Sequence, residues 1–180
     1  MIHVMLDLET MGTAMTSAIV SIGAVEFDPN STRFGTSFHE HILLKSAVKA
    51  GFTLDPDTVI WWLNQSDDAR SRLTRGQVGA DTVVDALQRF SGWLGTLAPK
   101  KERVIWGNGA AFDNALLASA YARTGLELPW EFYNDACYRT IKNLHPEIKI
   151  VREGVHHDAR DDAISQAKHL QAINASLKGA

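Results

Sequence analysis

Ile2-His3-Val4-Met5-Leu6-Asp7-Leu8-Glu9 carries the pattern on which the fold turns. Ile2, Val4, Leu6 and Leu8 alternate with His3, Met5, Asp7 and Glu9, the period of two expected of a strand whose successive side chains leave on opposite faces. Asp7 and Glu9 then point to one side. Such an apolar strand belongs inside a sheet, and acids at the end of a buried strand demand a partner. Two neighbouring carboxylates offer hard oxygen ligands of the type preferred by Mg²⁺ and Mn²⁺.

Outward from this strand, Ile19 to Phe27 and Arg33 to Leu44 read as two more strands, the first closed by the turn signal Asp28-Pro29-Asn30-Ser31. The three make an antiparallel meander. From Asp55 to Leu97 the chain reads as helical. Asp55-Pro56 opens a segment carrying Trp61 and Trp62, and Val83, Leu87, Phe90, Leu94 and Leu97 mark one face of a later helix. Val104-Ile105-Trp106 reads as a short buried strand ending at Gly107-Asn108-Gly109. Phe112 to Arg123 is helical, with Asp113, Leu117 and Ala120 on one face and Gly125 as its stop. A short strand is expected near Phe132 to Ala136. The last helix runs from Asp158 to about Leu177, with Ala159, Ala163, Leu170, Ile173 and Leu177 on its core face. The polar stretch around Gly154, preceding His156-His157, reads as a mobile loop that delivers the histidine. The expected architecture is α/β, a mixed central sheet flanked by helices, in a single domain spanning 1–180.

Composition sets bounds on function. At 180 residues and 45% hydrophobic content the chain supports one sizeable core. The net charge is -3, and setting Asp7, Glu9, Asp113 and Asp162 aside on metal leaves +1 for the remainder. Nucleic acid is therefore allowed as a partner, but a broad basic face is not, which suits short single-stranded ends better than long duplex. One cysteine, Cys137, excludes an intramolecular disulfide and a cysteine-rich zinc module. The N-terminus reaches Asp7 and Glu9 without a signal-peptide pattern, and no apolar run of 18 residues occurs, so the expectation is a cytoplasmic protein without membrane contact.

Two further clusters complete a set of four carboxylates and a histidine: Asn108-Gly109-Ala110-Ala111-Phe112-Asp113-Asn114 and His157-Asp158-Ala159-Arg160-Asp161-Asp162. Asp113 alone reads as a helix-start residue, and Asp158 and Asp161 as caps of the last helix. Asp162 is the better ligand, because Ala159 and Ala163 leave space on its side. His157 has the chemistry to take a proton from an attacking water, whereas His156 reads as an ordinary loop residue. Acids gathered from distant positions repel one another unless a cation compensates them, and a pair of divalent ions does so while supplying phosphoryl chemistry.

Asp7-x-Glu9-Thr10, Asn108-Gly109-x-x-Phe112-Asp113 and His157-x-Ala159-x-x-Asp162 resemble, in order and end to end, the three motifs of the DEDDh (DnaQ-like) 3′→5′ exonucleases of the ribonuclease H-like superfamily. The segments Asp7-Leu8-Glu9-Thr10-Met11-Gly12, Trp61-Trp62-Leu63-Asn64-Gln65-Ser66 and Tyr138-Arg139-Thr140 are similar to the phage exonuclease A (DexA-type) and ribonuclease T-like subgroup. The resemblance implies a ribonuclease H-like fold with a mixed five-stranded sheet and two divalent cations, Mg²⁺ or Mn²⁺. Asp7, Glu9 and Asp162 would hold the ion that activates water, Asp7 would also touch the second ion, and Asp113 would complete the site. His157 would be the general base, and nucleoside 5′-monophosphates would leave from a single-stranded 3′ end of DNA or RNA. It further implies that Thr10 and Met11 meet the terminal nucleotide, that Phe112 packs beside it, and that a homodimer is one available assembly. Trp61 and Trp62 are candidates for base stacking, one of the pair being core because adjacent helical residues diverge by about 100°. Asn108, Asn114 and Arg139 are candidates for orienting the site or gripping phosphate. Two rival readings are a histidine-aspartate phosphohydrolase, which leaves Asp7-x-Glu9 unexplained, and a catalytically silent ribonuclease H-like module that binds nucleic acid.

Overall fold

Residues 1–178 are described by the structure, a computed structural model. The opening strand, β1 (Ile2–Thr10), lies at the centre of a five-stranded sheet, between β2 (Ile19–Phe27), β3 (Phe34–His41) on one side and β4 (Arg103–Gly107), β5 (Asp135–Cys137) on the other. The order is β3-β2-β1-β4-β5. The β1–β2 and β2–β3 pairs are antiparallel, and the β1–β4 and β4–β5 pairs are parallel. The sheet is thus mixed and five-stranded, as the resemblance implied.

Both faces of β1 are covered, and its alternation decides what each covers. Val4, Leu6 and Leu8 enter the larger core with α4 (Val83–Leu97) and α5 (Asp113–Thr124). Met5 enters a smaller core on the other face, with Tyr138, Ala163, Ala167 and Leu170. The last three belong to α7 (Ala159–Lys178), whose small residues let it lie close across β1 and β2. Asp7 and Glu9, on the same face as Met5, emerge where this apolar packing gives way to the N-terminal turn of α7.

The remaining helices are α1 (Leu44–Lys49), α2 (Pro56–Leu63), α3 (Asp67–Gly76) and α6 (Tyr138–Leu144), with 3₁₀ turns at Lys100–Glu102 and Phe132–Asn134. Asp55 caps α2, its side chain accepting from the Asp57 N–H, and Gly125 closes α5 at φ 72°.

Three expected boundaries need correction. The third strand stops at His41 instead of reaching Leu44: the Leu43 N–H turns to the Asp81 carbonyl and the Leu44 N–H to the Gln77 side chain, and α1 begins there. Phe132 to Asn134 is a 3₁₀ turn with Phe132 exposed, and β5 starts only at Asp135, where parallel pairing with Ile105 begins. Leu177 lies on the last turn of α7 beyond the sheet and is 54% exposed, so it is not core.

Candidate active site

Two glycines bring the acids together. Gly23 on β2 sits opposite Asp7, and a Cβ there would lie 2.1 Å from the backbone carbon of Ala159. Its absence lets the first turn of α7 rest directly on the sheet, which places Asp162 beside β1. Gly107, at the end of β4, does the same for α5: a Cβ would lie 2.2 Å from Asn114 Oδ1 and 3.0 Å from Asp113 Cβ. Asn114 locks that approach, donating from Nδ2 to the Ile105 carbonyl at 2.9 Å and to Asp135 Oδ1 at 2.7 Å.

The result is a cleft of about 270 Å³ whose walls include Asp7, Glu9, Asp113, Asp162 and His157. Carboxylate oxygens of Asp7, Glu9 and Asp162 lie within 4.8 Å of one another. Glu9, Asp113 and Asp162 are buried, and Asp113 Oδ2 has no hydrogen-bond partner among the described residues. Burial, then the charges of Glu9, Asp113 and Asp162, push Asp7 well above the usual carboxylate range. Burial, then Asp162, Asp158 and Asp113, raise Glu9 to about 8. Asp113 rises to about 7 through burial, against hydrogen bonds from the backbone of Leu8 and Asn108 that hold it down. A set of crowded oxygen donors with an orphaned carboxylate oxygen fits hard divalent cations.

His157 stands at φ 66°, a left-handed backbone that turns its ring toward the cleft while its N–H donates to Asp162 Oδ2 at 2.9 Å. Burial, then the neighbouring His156, lower its pKa, so at neutral pH the imidazole is uncharged and can accept a proton. Trp61 and Trp62 flank this ring edge-on, with centroids at 4.9 and 6.0 Å. Trp62 is the core member of the pair and donates from Nε1 to the Thr10 carbonyl at 3.0 Å, tying α2 to the end of β1. Trp61 is 44% exposed beside His157, and neither indole lines the cleft itself.

The other expected contacts divide. Asn108, Phe112 and Arg139 line the cleft, and Arg139 Nε donates to the Asn108 carbonyl at 3.1 Å. Met11 does not reach it: its side chain is buried in the larger core, because the chain bends there to bond the Met11 N–H to the Ala18 carbonyl. Thr10 is also turned away, its hydroxyl spent on the Gly12 carbonyl at 2.8 Å. Asn114 is fully buried, its side chain bonded to Ile105 and Asp135, and so does not reach the open cleft. Asp158 caps α7 as expected, its Oδ1 accepting from the Asp161 N–H, whereas Asp161 reaches back to the preceding loop, its Oδ2 accepting from the Val155 N–H.

Three residues of the cleft lie outside the sequence motifs. Gln166 donates to Asp7 Oδ1 at 2.7 Å, Arg152 donates to Asp162 Oδ1 at 2.7 Å, and Lys142 lines the cleft beside Arg139. Gln166 had a usable signal, since it lies four residues after Asp162 and so shares its helix face. Arg152 had none, because it comes from an irregular loop.

The family model of the 3′-5′ exoribonuclease Rv2179c-like domain matches residues 2–174. The chain belongs to this family. It is 28% identical over 128 residues to the exodeoxyribonuclease of Enterobacteria phage T4, an alignment covering 65% of this chain and 54% of that protein. The chain thus spans about half the length of this curated relative. Among solved structures, the nuclease domain of 3′hExo, a DEDDh family member bound to rAMP, superimposes with TM-score 0.65 at 13% identity over 99% of this chain and 92% of its own. E. coli Exonuclease I in complex with a dT13 oligonucleotide gives TM-score 0.68 at 12% identity, covering 99% of this chain and 42% of the larger protein. These two likenesses establish the ribonuclease H-like exonuclease fold. Within the described residues of this family member, no helix is long and apolar enough to cross a membrane.

Proposed function

We propose that this family member is a metal-dependent 3′→5′ exonuclease that hydrolyses the terminal phosphodiester of a single-stranded nucleic acid and releases nucleoside 5′-monophosphates. The observation that carries the reading is the convergence of Asp7, Glu9, Asp113 and Asp162 on one cleft with a neutral His157 at its edge. A silent binding module has no use for four mutually repelling acids. The histidine-aspartate phosphohydrolase reading has no use for Asp7 and Glu9.

Asp7, Glu9, Asp162 and Asp113 would hold two divalent cations, Mg²⁺ or Mn²⁺. Bound there, such ions supply charge for both the attacking and the departing oxygen of an in-line displacement. His157 accepts the proton of the attacking water, its orientation fixed by the bond from its backbone to Asp162 and by the two indole rings. Gln166 holds Asp7 in place. Arg139 and Lys142 set positive charge at the rim, where the departing phosphate carries negative charge. Trp61 offers an exposed ring for a base to stack on, worth about 1 to 3 kcal/mol. One exonuclease domain over 1–180 and action in the cytoplasm complete the reading.

The description of the family speaks of RNA and the name of the phage T4 relative speaks of DNA. Digestion of matched 5′-labelled single-stranded RNA and DNA, with Mg²⁺, with Mn²⁺ and with chelator, tests the proposal. A ladder that shortens from the 3′ end only with metal supports it, and the faster substrate names the sugar. Intact strands of both kinds under every metal would sink it.

A further inference from the structure

His156 makes no direct contact in the reaction above, yet it lines the cleft and its ring stacks on that of His157, with centroids 3.7 Å apart and planes at 28°. One ring nitrogen from each histidine and one carboxylate oxygen of Asp162 lie within 4.8 Å of one another. This trio overlaps the acidic trio of Asp7, Glu9 and Asp162 at a single residue, and its chemistry differs. Three carboxylates suit a hard cation that keeps several waters, whereas two imidazoles and one carboxylate suit a borderline transition metal in four-coordinate geometry.

We propose that His156, His157 and Asp162 form a second cation site, selective for metals of the zinc class, whose occupation switches the nuclease off. The binding part stands on the geometry alone, and the inhibitory part rests on the reading of His157 as the base. His157 is held in place, its backbone N–H fixed to Asp162 Oδ2 and its ring bordered by Trp61 and Trp62. His156 is exposed, so its side chain can turn to aim a nitrogen at the shared position. With one water, the three donors fill the four positions that zinc takes with protein nitrogen and oxygen ligands. Arg152 is the internal competitor for Asp162, and as an exposed loop residue it can swing away.

Such an ion would act in two ways at once. It would occupy the imidazole lone pair that has to accept a proton, and it would draw Asp162 away from the acidic trio. Inhibition would therefore appear at zinc concentrations far below that of Mg²⁺, because affinity for mixed nitrogen and oxygen sites rises toward the end of the first transition row.

The test uses wild type and His156→Ala. Zn²⁺ is titrated into each in excess Mg²⁺, in competition with a chromophoric chelator, and digestion of single-stranded substrate is followed in parallel. The expected result is Zn²⁺ binding about 10- to 100-fold weaker in His156→Ala, a drop at least as large as that from losing a ligand's supporting hydrogen bond. The half-inhibiting Zn²⁺ concentration, taken relative to each protein's own rate in Mg²⁺ alone, should rise by the same factor. Equal Zn²⁺ affinity and equal inhibition in the two proteins would overturn the site, placing zinc on the carboxylates alone. Zn²⁺ bound through His156 without loss of activity would overturn the switch. Zn²⁺ bound through His156 by a protein that digests nothing in Mg²⁺ would uphold the site and sink the nuclease reading instead.

Discussion

The two sides of the cleft are built differently. Asp7 and Glu9 belong to the central strand, paired with Gly23 and Ser21 of β2 just beyond the last β4 pair at Leu6, and Gly23 and Gly107 let α7 and α5 close against that frame. His157 and Arg152 come from the irregular stretch before α7, held by a few bonds such as His157 N–H to Asp162 and Glu153 N–H to Ser165 Oγ. The rigid side carries charges that oppose its own folding. The loop side carries a neutral base whose removal disturbs little. Changes on the rigid side should therefore alter both stability and rate, and changes on the loop side should alter rate alone.

The sharpest way to break this distinction is Asp7→Asn. Activity should fall to background, because the central ligand of the proposed metal set is lost, while the metal-free protein becomes more stable, because a buried charge in a like-charged cluster is gone. Chelator-treated samples compared by urea denaturation, alongside digestion rates, check both halves. A destabilised Asp7→Asn protein would show that the carboxylates are not the strained side. His157→Ala comes next. The expected loss is about 10²- to 10⁴-fold in kcat, the usual worth of a positioned base, with the urea midpoint unmoved. A shifted midpoint would mean that the loop also bears on the fold.

Gln166→Met sharpens the boundary between the sides. It removes the bond to Asp7 and keeps the volume, so Asp7 stays in the strand but loses its orientation. Activity should drop about 10- to 100-fold, the range for residues that orient a metal ligand, with the effect relieved in part by raising Mg²⁺. Insensitivity to Mg²⁺ would assign Gln166 to packing instead.

The same contrast explains which features could be read from the sequence. Period-two alternation fixed β1, and with it the shared face of Asp7 and Glu9, because burial on one side of a strand leaves little freedom of register. Helix periodicity marks the core face of α4, and periodicity with caps bounds α5 and α7 to within a residue or so. The meander's third strand ends short of Leu44 because Leu43 and Leu44 continue an apolar pattern while their N–H groups turn to the Asp81 carbonyl and the Gln77 side chain, a tertiary choice invisible to periodicity. Met11 failed for a related reason: a motif position says which residue is present, not which way the chain bends after the strand. The close approaches at Gly23 and Gly107 depend on which helix crosses them, so a glycine in a strand reads only as weak spacing until α7 and α5 are in place. Arg152, on a loop without pattern, could be found only in three dimensions.

The smallest effect expected is also the one that separates the two sides most directly, namely the pH dependence of metal-free stability. Glu9 and Asp113 have folded pKa values of about 8 and about 7, raised above their ordinary carboxylate values, and Asp7 is raised as well. Between those ordinary values and the raised ones the folded state binds more protons than the unfolded chain, so stability must fall as pH rises across that window. In chelator, the urea midpoint should be higher at pH 5 than at pH 8, opposite to the trend set by carboxylates that form ion pairs. His157, whose pKa is lowered, works the other way but with less force, since it is partly exposed: acid protonates the unfolded chain first, so its contribution to stability declines toward low pH. Adding Mg²⁺ should raise the midpoint at pH 8 and leave it nearly unchanged at pH 5, because cation and proton compete for the same carboxylates. Asp7→Asn should flatten the slope and His157→Ala should not. A midpoint that instead rises with pH in chelator would show that the acids are already compensated by the chain itself, by Arg152 and Gln166, and would remove the physical reason for a cation in the cleft.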